Sequence, residues 1–172
     1  LKVKDAIVDQ FRLRENVRPS VDLRRPDLRI NARISNTQAT ISLDLSGESL
    51  HRRGYRKEGS EAPLKENLAA AILLRAGWSE IAASGGSLLD PLCGSGTLVI
   101  EAALIAGDSA PGLMRTHFGF LKWKQHQLHI WQRQLEAARV RRRKGMQSMP
   151  ALMGCDCDER AVQSARANAV RA

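Results

Sequence analysis

The stretch LLDPLCGSGTLVIEAALIAG, Leu88 to Gly107, constrains the fold more than any other part of the chain. A short apolar run ends in an acid, and a loop of small residues follows. The chain then enters a helix that is apolar nearly all round, which predicts burial, with Gly107 as its stop. Further on, ALMGCD reads as a second buried strand that also ends in an acid. DERAVQSARANAVRA then reads as a helix with Asp158 as its N-cap. Strand, glycine loop, helix, strand is a βαβ order. Residues 88–90 and 152–156 are therefore expected as adjacent parallel strands, with helix 98–106 as a right-handed crossover.

The loop narrows the ligand. A glycine loop before a helix turns backbone N–H groups toward the positive helix end. A phosphate loop needs G-x-x-x-x-G-K-[ST], and GSGT carries no lysine; the next basic residue is Arg115. The dinucleotide fingerprint G-x-G-x-x-G fails too, because Val99 stands where the third glycine belongs. ATP, GTP and NAD are thereby disfavoured. A nucleoside with a charged amino-acid tail fits better. Asp90 could accept from an ammonium group, and Gly94 and Gly96 let backbone approach closely. Asp156 could take two ribose hydroxyls, with Cys157 against an adenine face. That ligand is S-adenosylmethionine. A lone GxG is usually only a tight turn; the two strand-end acids argue against that here.

The rest of the chain is organised around this unit. Val3, Ile7 and Phe11 mark a helix over residues 1–15. After an arginine-rich loop broken by Pro19 and Pro26, the period changes to two. LRINARIS and TISLDLS alternate apolar residues with arginines and hydroxyls, and SNTQ between them predicts a hairpin. GESLHRRGYRKEGSE has no period and reads as a linker. Pro63 suits a first helical position, Leu64, Leu68 and Ile72 make a face, and Gly77 ends the helix. SEIAASGGS reads as a loop, and residues 108–127 as irregular. A helix resumes at Leu128, with Leu128, Trp131, Leu135 and Ala138 on one stripe, and stops at Gly145.

Composition bounds the function. The net charge is +9, mostly through arginine, whose forked donors suit phosphate and favour a polyanionic partner. Three cysteines, an odd number, argue for a reducing cytosol over a disulfide framework. No apolar run approaches the roughly 20 residues of a membrane span, and no signal peptide is apparent. The chain begins without methionine and stops in mid-helix, so an excised piece of a longer chain is expected.

DPLCGSGT resembles the cofactor motif of class I methyltransferases that modify exocyclic amino groups of nucleic-acid bases. LHRRGYRKEGSEAPLKENLAAAILLRAGW resembles the segment before that motif in bacterial 23S ribosomal RNA guanine-N2 methyltransferases of the RlmL type. GCDCDERAVQSARANA is similar to their second cofactor motif, and RTHFGFLKWKQHQLHIWQ to an insertion between the two. RPSVDLRRPDLRINARISNTQATISLDLSGESLHRRGYR resembles the second half of a THUMP domain, an RNA-binding module. The resemblance runs over nearly the whole chain. It implies an α/β fold: the N-terminal part of a Rossmann-like class I methyltransferase sheet, preceded by the C-terminal half of an α+β THUMP domain. The expected organisation is THUMP-like residues 1–50, a linker at 51–60 and the cofactor-binding half at 61–172.

The resemblance also implies S-adenosylmethionine as cofactor and 23S ribosomal RNA as partner, in the cytoplasm and away from any membrane. The cofactor residues are then Asp90, Pro91, Cys93, Gly94, Ser95, Gly96, Thr97, Asp156 and Cys157, with Pro63 and Leu64 near the methionine end by resemblance alone. Arg52, Arg53 and Arg56 border the expected linker and are assigned to RNA. The family's (N/D)-P-P-(Y/F) catalytic motif is not among these residues, so no catalytic residue is expected before Ala172. Cys93, Cys155 and Cys157 lack paired zinc spacing, and no metal is expected. Trp123 and Trp131 read as core of the insertion, and Arg139–Lys144 as a solvated helix end. An adenine-N6 DNA methyltransferase and a non-enzymatic RNA-binding protein are the alternatives.

Overall fold

The computed structural model describes residues 2–24, 26–56 and 64–172. They fall into two compact units: Leu1–Gly47 with His117–His126, and Glu48–Thr116 with Gln127–Ala172. Pro63 and residues 57–60 of the expected linker lie outside the described residues.

The first unit holds helix α1 (Lys2–Glu15) and strands β1 (Arg29–Ser35) and β2 (Gln38–Asp44), which pair antiparallel. The turn is two residues long, and Asn36 takes a left-handed φ of 52°, which asparagine tolerates better than most residues. The register follows the alternation in the sequence. Ile30 faces Leu43, Ala32 faces Ile41 and Ile34 faces Ala39 on one side, while Arg29, Asn31 and Arg33 share the other with Asp44, Ser42 and Thr40. Part of the segment expected to be irregular folds here. A 3₁₀ turn at Gly119–Lys122 closes on the end of β2, with Phe120 N donating to Leu45 O at 3.0 Å. A Cβ at Gly119 would meet the Asp44 carbonyl oxygen at 2.9 Å, so only glycine fits. Phe118 stacks on Phe120 at 5.2 Å, and Trp123, expected in a core, is exposed.

The second unit runs α2 (Glu66–Arg75), α3 (Trp78–Ala83), β3 (Leu88–Asp90), α4 (Thr97–Ala106), α5 (Leu128–Gly145), β4 (Leu152–Gly154) and α6 (Glu159–Arg171). Strands β3 and β4 are parallel, with Leu88 opposite Leu152 and Asp90 opposite Gly154. Leu73, Trp78, Ala82 and Ala102 form the core, and Leu88, Leu98, Ile105 and Leu152 pack against it. Two expectations change here. SEIAASGGS contains a short helix, α3, whose start buries Trp78 and sends its Nε1 proton to Ala102 O at 2.9 Å. Six residues are too few to display a helical period. In α2 the buried positions are Glu66, Ala69 and Leu73, whereas Leu68 and Ile72, and Leu64 ahead of the helix, are exposed. That helix is apolar on several sides, so its period does not choose a face. Small Ala69 allows the closer approach.

The strands were expected to be buried, yet Leu89 is 62% and Met153 60% exposed. They are paired opposite each other on the face away from the core residues Leu88 and Leu152. A strand is buried on both sides only when both sides of the sheet are covered. In α5, Trp131, Leu135 and Ala138 are half-buried as the stripe requires, although Leu128 is exposed.

The aperiodic segment before α2 is the largest revision. Arg53 and Tyr55 are buried in the second unit, against α4. A linker reading rests on missing periodicity, but single side chains can anchor an irregular segment without any period. Here the anchor is Glu101, an acid inside the apolar α4.

Candidate cofactor-binding site

The glycine loop joins the C-terminal end of β3 to α4, and β4 extends beside it. The pairing continues past the strand ends: Cys155 N donates to Asp90 O at 2.8 Å, and Cys93 N donates to Cys155 O at 2.7 Å. Asp90 Oδ1 accepts from Leu92 N at 3.2 Å, which turns the chain sharply after Pro91. Gly154 is confined: a Cβ there would meet Cys93 Cβ at 3.0 Å. Cys93 is therefore wedged between the two strand ends. Burial, together with the Asp90 and Asp156 charges, pushes its thiol up, so it is a neutral packing group at physiological pH. Cys155 and Cys157 are free and exposed.

Gly94 has φ 52° and Gly96 φ 81°, a left-handed region where a side chain is strained. Their surroundings differ. A Cβ at Gly94 would meet nothing within 4 Å, so this glycine borders open space. A Cβ at Gly96 would lie 3.0 Å from Ala165 Cβ, so this one lets α6 approach the loop. The loop is thus backed by protein at Gly96 and open at Gly94.

Asp156 closes the arrangement. Its Oδ2 accepts from Gly94 N at 2.8 Å and its Oδ1 from Asp158 N at 3.0 Å. These two amides hold its carboxyl below the usual carboxylate range, so it stays ionised well into acid. The sequence assigned Asp156 to a ligand; the structure adds that it also clamps the loop. Each carboxylate oxygen accepts more than one hydrogen bond, so the clamp leaves capacity for ligand hydroxyls. Asp158 caps α6 by accepting from Arg160 N at 2.9 Å, as expected.

Thr97, the first residue of α4, is buried, and its hydroxyl accepts from Arg56 Nη2. The same nitrogen donates to Leu64 O at 3.1 Å, which joins Leu64 to the start of α4. Arg56 also lies 3.8 Å from Glu66. Arg53 is buried, 3.2 Å from Glu101, whose other oxygen accepts from the Tyr55 hydroxyl at 3.2 Å. Both arginines are engaged inside the fold. Of the three residues assigned to RNA, Arg52 alone is exposed, while Arg53 is buried and Arg56 half-buried. Asn168, Arg171 and Glu101 support this region and were not singled out from sequence. The signal for Asn168 was present: an amide within the half-buried stripe of α6, where an apolar residue is the norm. Among the described residues, no group of His, Cys, Asp and Glu could hold a metal ion.

A parallel pair with a glycine loop between strand-end acids defines the nucleotide-binding half of a Rossmann-like α/β fold. The family model for the RMKL-like methyltransferase domain matches residues 53–172, and that for the THUMP domain matches residues 1–44. The chain belongs to the RMKL-like methyltransferase-domain family, with a THUMP domain sequence ahead of it. It is 62% identical over 169 residues to the ribosomal RNA large subunit methyltransferase K/L of Syntrophotalea carbinolica, covering 98% of this chain and 24% of that protein. It is 58% identical to the Methylococcus capsulatus protein of the same name, covering 99% and 23%. The chain thus spans about a quarter of the length of these relatives. Among solved structures it matches a Listeria monocytogenes protein described as a predicted N6-adenine-specific DNA methylase, at TM-score 0.73 and 30% identity, over 98% of this chain and 43% of that one. It also matches SMU.472, a methyltransferase-like protein complexed with SAH, at TM-score 0.71 and 35% identity, over 98% and 42%. The fold is accordingly the N-terminal part of a class I methyltransferase sheet, as the sequence implied.

Proposed function

We propose that this chain is the cofactor-binding part of an S-adenosylmethionine-dependent methyltransferase that modifies the exocyclic N2 of a guanine in 23S ribosomal RNA. One observation carries the reading: the Gly94–Asp156 clamp, which leaves Gly94 facing open space beside an ionised strand-end acid. An uncharged loop with an acid beside it suits a nucleoside carrying ribose hydroxyls and an amino-acid tail, and it repels a polyphosphate. The residues fit the cofactor: Asp156 would accept from the ribose hydroxyls, Asp90 from the ammonium, and Gly94 would admit the ligand's close approach. Cys157 would border the adenine, and Pro63 and Leu64 the methionine end. Bound there, the cofactor supplies a sulfonium methyl group for in-line transfer.

The nucleophile is a poor one, because the guanine amine's lone pair is delocalised into the ring. Catalysis then rests on placing that nitrogen and hydrogen-bonding its N–H groups as the bond forms. None of the residues here is assigned that task. The target base must be single-stranded or flipped out to reach the site. The THUMP match and the net charge of +9 support RNA as the partner. No described helix is long and apolar enough to cross a membrane, and we place the protein in the cytoplasm with its ribosomal substrate.

The Listeria likeness supports a second reading, adenine-N6 methylation of DNA. A methyl-transfer assay with the complete gene product, on 23S RNA lacking the modification and on duplex DNA, separates them. Mass spectrometry of the product nucleosides should show N2-methylguanosine. N6-methyladenine in DNA, or no transfer to either, would overturn the proposal.

A further inference from the structure

The cofactor loop is anchored from behind by a buried amide. Asn168 on α6 is only 2% exposed. Its Nδ2 donates to Ser95 O at 2.9 Å, and its Oδ1 accepts from Arg171 Nη2 at 2.5 Å. Arg171 Nε donates in turn to Tyr55 O at 2.7 Å. Both ends of the Asn168 amide are therefore fixed, and the amide cannot rotate to an alternative partner without leaving a buried polar group unpaired. On the loop side, the peptide joining Ser95 to Gly96 is also held at both ends: its carbonyl by Asn168, its N–H by Cys93 O at 2.8 Å. Gly94 is held through Asp156, and Gly96 is packed on Ala165. Three consecutive loop residues are thus each set by a different group.

We propose that Asn168 is a positioning residue for cofactor binding, which sets the Ser95–Gly96 peptide plane before the ligand arrives, with Arg171 orienting its amide. This rests on reading the loop as the S-adenosylmethionine site. The physical reason is preorganisation. A glycine-rich loop has many accessible conformations, and a ligand that must select one of them loses affinity. A buried donor on a helix removes that freedom in advance. A space-filling role makes a different demand, because it needs only the volume of the side chain and is indifferent to which end donates.

The test uses the complete gene product, with S-adenosylhomocysteine titrated by calorimetry and 23S RNA by filter binding. Wild-type protein that does not bind S-adenosylhomocysteine defeats the cofactor-site reading itself. Given that binding, Asn168→Asp keeps the volume and still accepts from Arg171, but it turns an oxygen toward the Ser95 carbonyl. Its Kd for S-adenosylhomocysteine should rise about tenfold, the equivalent of one lost hydrogen bond to a buried group. The cofactor KM should rise with it, while kcat and RNA affinity stay near wild type. Arg171→Met, at an exposed position, leaves Asn168 in place without its orienting partner and should raise the same Kd by about threefold. It decides the matter if the Asp variant does not fold. Wild-type affinity in the folded variants, or a loss of thermal stability with cofactor binding intact, would overturn the proposal.

Discussion

The hairpin of the first unit and the glycine loop of the second are held in opposite ways. The hairpin is a continuous antiparallel ladder whose apolar residues Ile30, Ile34, Ile41 and Leu43 remain exposed. Its order comes from the backbone ladder, and these side chains add little burial to it. The loop has almost no regular backbone pairing, yet side chains from several elements fix it: Asp156 beyond β4, Asn168 and Ala165 on α6, Arg56 from the preceding segment. A ladder suffices for a surface that presents a broad face. A site that receives a small ligand needs each peptide placed individually, and buried polar groups achieve that because leaving any one unpaired is costly.

The comparison breaks first at Glu101. Its carboxylate holds Arg53 and Tyr55, and Arg53 is buried with it. Glu101→Ala strands a buried guanidinium and should cost roughly 3–5 kcal/mol in denaturant unfolding of the complete protein. A loss below about 1 kcal/mol would mean that Arg53 finds water, and that the segment is only loosely docked. Next come the residues proposed to face the cofactor. Asp156→Ala removes both the clamp and the proposed ribose acceptor, and should weaken S-adenosylmethionine binding by about 1.5–3 kcal/mol. Gly94→Val should be worse, since it both strains the left-handed backbone and fills the open side.

Much of this was legible beforehand, and the limits have physical causes. The βαβ order, the parallel strands, the Asp158 cap and the hairpin register each follow from a local pattern of period or end residues. The docking of residues 48–56 does not, because one arginine and one tyrosine against a distant glutamate leave no period to read. The buried face of α2 escaped for the opposite reason: too many apolar residues, so every face qualified. At the loop, the left-handed turn at Gly94 was recognisable by residue type, whereas the clamp from Asp156 onto Gly94 N was not. Asn168 left a signal, an amide in the half-buried stripe of α6, but its partner did not, because the Ser95 carbonyl is a backbone group that any residue could supply.

Smaller effects sharpen the comparison. Because Asp156 has a folded pKa below its unfolded value, the clamp contributes fully above the unfolded pKa and is lost as pH falls through the folded one. Cofactor affinity should therefore be flat from neutrality down to about pH 5 and decline only in stronger acid. A decline centred near pH 6 would assign control to another group. On the hairpin side, the isolated 172-residue chain should self-associate through its uncovered apolar surface, as light scattering would show. Ile34→Thr, at a position 70% exposed, should change its stability by less than about 0.5 kcal/mol while reducing association. Arg52→Ala should have the mildest effect, a uniform drop in RNA affinity with the salt slope reduced by about 1.

The most direct measurement is calorimetric titration of S-adenosylhomocysteine into the complete protein and its Asp156→Ala and Gly94→Val variants. If the loop and its strand-end acid form the cofactor site, wild type binds, Asp156→Ala binds at least about tenfold more weakly, and Gly94→Val more weakly still. Equal affinity in all three proteins would contradict that placement.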